Sequence, residues 1–149
     1  MKLAKGDMFR DTQADVILVT TNAFVKANGA LVMGRGAAAQ LAHMHDSIPF
    51  EFGVLVKQSP HYPHYGVVIS PLPRAGRLYG AFQVKDNWFD KAQGTLIHQS
   101  MTHLYELAHL LPNWKFALNF PGIGNGQLDR ISVLPTIELL PDNVEVWEY

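Results

Sequence analysis

Phe120 to Arg130 reads F-P-G-I-G-N-G-Q-L-D-R, and the apolar run Trp114 to Phe120 leads into it. A run of that kind predicts a strand, and the three alternating glycines predict a loop whose backbone N–H groups converge on an anion. Gly122, Gly124 and Gly126 put no Cβ in a ligand's way, and Asp129 ends the loop on a carboxylate placed for chemistry. The same residues also fit an ordinary Gly-rich connection that ends on a helix-capping Asp, so the rest of the chain must decide.

Outward from this stretch, short segments rich in β-branched and aromatic residues predict strands at Val16 to Thr20, Phe52 to Lys57, Gly66 to Ser70, Leu78 to Val84, Lys115 to Phe120 and Val144 to Tyr149. Helices are expected over the Ala-rich Gly36 to His43 and over Leu96 to Leu111, where Leu96, Met101, Leu104, Leu107, Ala108 and Leu111 recur at helical spacing before Pro112. A third helix is expected over Val133 to Leu140, with Ser132 as N-cap and Pro135 in its first turn. The Pro/Tyr/His segment Ser59 to Tyr65 reads as a hairpin-like loop. Strands interleaved with helices predict an α/β sandwich around a mixed sheet, with ligands at the carboxyl ends of the strands.

The chain has 149 residues, the size of one ordinary domain, and 12 Lys plus Arg against 13 Asp plus Glu. That balance gives no general nucleic-acid patch and no attraction to anionic membranes. With no cysteine, disulfides, thiolate metal sites and a Cys nucleophile are excluded, which fits a reducing compartment. The start M-K-L-A-K-G-D lacks the apolar core of a signal peptide, and no stretch approaches the ~20 apolar residues of a membrane helix. A soluble, cytoplasmic protein without a membrane partner is expected. His43 with His45, and His61 with His64, match no standard metal template, so no metal or cofactor is expected.

A second glycine cluster, N-G-A-L-V-M-G-R-G-A-A-A from Asn28 to Ala39, opens into the Ala-rich helix. Free N–H groups at a helix start attract anions, and two such loops in one domain suggest a diphosphate. The cluster is neither a nucleotide P-loop, since no G-K-[ST] closes it, nor a Rossmann fingerprint. Close packing of helix against strand would also account for Gly34 and Gly36.

Five motifs occur in a telling order: K-G-D-M-F from Lys5, T-N-A from Thr21, V-M-G-R-G-A from Val32, F-Q-V-K-D-N-W from Phe82, and G-I-G-N-G-Q-L-D-R from Gly122. Together they resemble the ADP-ribose-binding macrodomain family. They are most similar to its branch of terminal ADP-ribose protein glycohydrolases and antitoxins that remove ADP-ribose from DNA. The resemblance implies a three-layer α/β/α macrodomain with a mixed, mostly parallel central sheet, one domain over residues 1–149. It implies ADP-ribose, or ADP-ribosylated protein or DNA, as partner.

The resemblance also implies roles. Asp7, with Met8 beside it, would accept a hydrogen bond from the adenine amino group; the alternative reading of Asp7 is a plain turn or cap residue. Asn22 or Asn28 would contact the distal ribose. Val32, Met33, Gly34, Arg35 and Gly36 on one side, and Gly122, Ile123, Gly124, Asn125, Gly126 and Leu128 on the other, would hold the diphosphate and that ribose. Taken alone, Lys85 is a solvent-facing strand-end lysine; the family motif makes it the catalytic residue at C1″, with Asp129 as acid or base. The activity so implied is an ADP-ribosyl hydrolase acting on protein carboxylates or DNA. The alternatives are an ADP-ribose 1″-phosphate phosphatase or deacylase, and a non-catalytic reader or sequestering module. The strand end here reads F-Q-V-K where the branch carries F-P-T-K.

Overall fold

The computed structural model describes all 149 residues except the side chain of Asn125. In chain order the elements are β1 (Lys2–Lys5), α1 (Met8–Asp11), β2 (Val16–Thr21), α2 (Gly36–Met44), α3 (Ile48–Gln58), β3 (Val67–Ile69), β4 (Leu78–Gln83), α4 (Gly94–Leu110), β5 (Phe116–Asn119), a 3-10 turn (Gly124–Gly126), α5 (Arg130–Ile137) and β6 (Val144–Glu148). The strands form one six-stranded sheet in the order β1-β6-β5-β2-β4-β3. All neighbours are parallel except β3, which runs antiparallel to β4 at the edge.

Successive strand residues face opposite sides, so a sheet covered on both faces needs apolar residues at odd and even positions alike. β2 does this: Ile17 and Val19 join one buried cluster and Val16 and Leu18 the other. The first cluster takes in Ala37, Ala38 and Leu41 of α2 with Ile48, Phe52 and Val56 of α3, and the second Ile97, Met101 and Leu104 of α4 with Val133 and Ile137 of α5. The architecture is therefore three-layered, with helices on both faces. Phe52, Phe82 and Phe116 are wholly buried, and truncating a phenylalanine in such a core costs about 3–5 kcal/mol.

Three local expectations are corrected. Phe52 to Lys57 is no strand but part of α3, whose buried residues Ile48, Phe52, Gly53 and Val56 follow helical spacing, with Pro near its start. Ser59 to Tyr65 accordingly connects a helix to a strand. The last helix begins at Arg130, with Asp129 rather than Ser132 at the N-cap and Pro135 inside the helix. Proline removes the hydrogen bond to the Ile131 carbonyl; Ile131 is on the solvent side, where an unpaired carbonyl costs little.

Candidate functional site

Because β1, β2, β4, β5 and β6 run parallel, their carboxyl ends share one edge. That edge collects Gly6–Met8, Asn22, Lys85, the Phe120–Asp129 loop and Tyr149. Where the β2–β5 ladder stops, Asn119 extends it: its side-chain oxygen accepts from Thr20 N–H at 2.9 Å and its amide donates to the Thr20 hydroxyl at 2.8 Å. In α/β proteins ligands sit at such a carboxyl edge.

At one end lies a shallow recess of about 20 Å³ lined by Gly6, Met8, Ala37, Asn119, Trp147 and Tyr149, among others. The Tyr149 hydroxyl, 2.8 Å from the Gln40 side-chain oxygen, ties the end of β6 to α2 beside it. Gln40 and Asn119 are absent from the sequence expectations, since nothing in a helical Gln or a strand-end Asn marks a site. Asp7 is the N-cap of α1, with its carboxylate accepting from Arg10 N–H at 3.3 Å, and Met8 is buried. The capping role is thus present, and a carboxylate retains further acceptor capacity beside the recess.

Asn22 is 3% exposed. Its amide donates to the Val32 carbonyl at 2.9 Å and its oxygen accepts from Phe24 N–H at 2.8 Å, so it staples together the start and end of the loop from β2 to α2. Asn28 instead shapes a turn, accepting from Ala30 N–H at 3.1 Å. That turn packs on α3, where Leu31 N–H bonds to the Pro49 carbonyl. Asn22 is at the strand edge, whereas Asn28 belongs to the α3 side.

The glycines divide into two kinds. Gly34 and Gly124 have φ of +49° and +63°, and a Cβ at either would meet nothing within 4 Å. Neither is explained by packing; both leave open space beside the edge, and a positive φ there favours glycine. Gly122 and Gly126 are packing glycines, whose Cβ would come within 2.7 Å of Ile97 and 3.0 Å of Ala92, respectively. Gly36, also at positive φ, opens α2 behind exposed Arg35, with Met33 buried and Val32 half-buried. Ile123 and Leu128 are half-buried against the second core. Asn125 lies in the 3-10 turn, and its side chain lies outside the described residues.

Lys85 lies two residues past the end of β4. Its ammonium donates to the Trp88 carbonyl at 3.1 Å. Burial holds its pKa below the ordinary lysine value, against the opposing charge of Asp90. Such a lysine is the kind that becomes a competent nucleophile. Asp129 sits at the head of α5, exposed and without a capping hydrogen bond. The two loops that carry them are joined, because Ala92 N–H donates to the Gly126 carbonyl at 3.0 Å. Beyond Asp129, Arg130 makes a two-pronged pair with Glu148 at 3.1 and 3.0 Å and lies over the Phe120 ring, fixing the loop's end to β6.

No protein-family model matches the sequence, and no curated protein does. Solved structures are similar. The macrodomain of DarG from Thermus aquaticus shares 22% identity at a TM-score of 0.77, covering 99% of this chain and 96% of that one. The macrodomain of DarG from Mycobacterium tuberculosis shares 21% at 0.76, covering 99% and 97%. DarTG from Thermosipho africanus, solved in complex with ADP-ribose, shares 18% at 0.77 over 98% of this chain and 41% of that one. The parallel five-strand block, the antiparallel edge strand and the helices on both faces thus make up a macrodomain fold.

Proposed function

We propose that this domain binds ADP-ribose along the carboxyl edge of its sheet and hydrolyses an ADP-ribosyl linkage there. The observation that carries the binding reading is the pair Gly34 and Gly124, both at positive φ with open space where a side chain would be. In that space a diphosphate takes hydrogen bonds from loop N–H groups and from the start of α2. The adenine lies over the shallow recess beside Asp7, and its amino group donates to the carboxylate. The similar DarTG structure in complex with ADP-ribose supports this choice of ligand.

For hydrolysis, Lys85 as the neutral amine attacks C1″ of the distal ribose while the bond from C1″ to the protein carboxylate or DNA base breaks. As the lysine nitrogen bonds to C1″ it loses a proton, which Asp129 relays to the leaving group; Asp129 then takes a proton from the water that displaces the lysine at C1″ and returns it to the departing amine. The lowered pKa of Lys85 supports this assignment. Calorimetry with ADP-ribose and GDP-ribose tests the binding: tight binding of the first alone is expected, and equal binding of both would remove the adenine role of Asp7. A panel of glutamyl-, aspartyl- and thymidine-linked ADP-ribose and the 1″-phosphate tests turnover.

A reader or sequestering module is the second reading. It is favoured by the Lys85 ammonium, which is directed to the Trp88 carbonyl rather than to a carboxylate. Absence of release from every substrate in the panel, with ADP-ribose still bound, selects it.

A further inference from the structure

Gln83 is the last residue of β4 and 1% exposed. A glutamine amide brings two donors and an acceptor into the interior, and each must be met. Here they are met by the Pro63–Tyr65 segment and by the backbone of Lys85 itself. The Gln83 side-chain oxygen accepts from Tyr65 N–H at 2.9 Å, and its amide donates to the carbonyls of Pro63 at 2.9 Å and Lys85 at 3.3 Å. Tyr65 passes the connection on: its hydroxyl donates to the Asn22 carbonyl at 2.7 Å and meets the Thr21 hydroxyl. Burial pushes its phenol up in pKa, so the donor is retained.

The backbone around Lys85 is held on both sides as well. Val84 N–H donates to the Thr21 carbonyl at 2.9 Å, Gln93 N–H to the Val84 carbonyl at 2.7 Å and Ala23 N–H to the Asp86 carbonyl at 2.9 Å. The Lys85 carbonyl is the member of this series held by a side chain. We infer that Gln83 is a positioning residue for Lys85, its buried amide tying the Lys85 backbone to the Pro63–Tyr65 segment and thereby fixing where the lysine side chain reaches. An apolar residue of equal length would fill the same space and leave the Lys85 carbonyl free to turn. Misplacing a reacting group by about 1 Å costs up to roughly 100-fold in rate.

This inference rests on the hydrolase reading for its kinetic consequence, but not for its structural one. Gln83→Met keeps the volume and removes every hydrogen bond of the side chain, including a long one of 3.5 Å from Gly66 N–H. Gln83→Glu keeps the acceptor for Tyr65 and removes the donors. Ser100→Ala is the control: its hydroxyl donates to the Gln83 carbonyl at 2.7 Å and the Gly66 carbonyl at 3.2 Å, so the change removes buried bonds nearby without touching the Lys85 carbonyl.

The expected result is a loss of kcat of roughly 10- to 100-fold in both Gln83 variants, with ADP-ribose affinity and KM nearly unchanged and Ser100→Ala close to wild type in kcat. Carbon-13 titration of the Lys85 ε-methylene gives the second readout: its midpoint moves toward ordinary lysine in Gln83→Met or, if that variant does not fold, in the likewise uncharged Gln83→Leu. An unchanged midpoint in the folded uncharged variant overturns the inference, as does an equal kcat loss in Ser100→Ala. If the wild type turns over nothing, the hydrolase reading fails on its own, and the Lys85 titration still judges Gln83.

Discussion

Ala92 donates its backbone N–H to the Gly126 carbonyl at 3.0 Å, and its methyl lies only 3.0 Å from where a Cβ on Gly126 would be. The strap that bears Lys85 and the loop that ends at Asp129 are therefore one packed unit, although the two residues are far apart in sequence.

If Lys85 reacts at C1″, Lys85→Ala removes turnover and leaves ADP-ribose affinity within a few-fold, because the reacting amine contributes in the transition state. Asp129→Ala is slow and accumulates a lysine adduct. Mass spectrometry of the denatured Asp129→Ala protein after incubation with substrate detects it; an unmodified mass together with full turnover in Lys85→Ala excludes covalent lysine catalysis.

The pH dependence has a definite sign. Burial lowers the Lys85 pKa and Asp90 raises it. As the reactive form is the neutral amine, kcat/KM rises with pH through the Lys85 pKa. Asp90→Asn removes the charge that favours the ammonium, so the rise moves to lower pH. A pH–rate profile checks this, and a move to higher pH would contradict the role of Asp90.

The two kinds of glycine respond differently to the same change. Gly34→Val or Gly124→Val adds a side chain into open space at a positive φ, a backbone strain of about 1–2 kcal/mol or more; the fold survives and ADP-ribose binding is lost. Gly122→Val drives its Cβ into Ile97 and Leu128, so the main loss is in stability. Thermal unfolding and calorimetry on the three variants separate these outcomes, and loss of fold in Gly34→Val would return that residue to a packing role.

Gly53 is the tightest helix–loop approach: a Cβ there would be 1.9 Å from the Gly29 carbonyl oxygen. Gly53→Ala forces the Lys26–Ala30 turn off α3, with an overpacking cost of about 1–3 kcal/mol. Urea unfolding measures it, and a neutral effect would show that the turn shifts freely.

Much of this was legible in the sequence because both faces of the central strands are buried, which makes β2 a continuous apolar run. Phe52 to Lys57 misled for the same reason: F-G-V-L-V is apolar throughout, and the helical period emerges only when Ile48 and Pro49 are counted. Lys85 and the glycine loops stood out through ordered motifs. The division between Gly34 or Gly124 and Gly122 or Gly126 had no sequence signal, since it depends on which residues from α4 and the Lys85 strap lie behind each. Gln83 likewise reads as an ordinary strand residue until its side-chain partners, from segments before and after it, are in place.

Strand β1 pairs with β6, in a register that sets Lys2 opposite Glu145. During synthesis the earliest-made strand therefore waits for the last-made one, and β2 waits for both β4 and β5. Pairings over such separations are slow, and they leave strand edges exposed while the chain is incomplete. Gly6, Asp7 and Met8 follow β1 directly, so their end of the carboxyl edge is finished last. A ribosome-stalled chain lacking Val144–Glu148 would already carry the Lys85 strap and both glycine loops, but have no wall against which to seat the nucleoside.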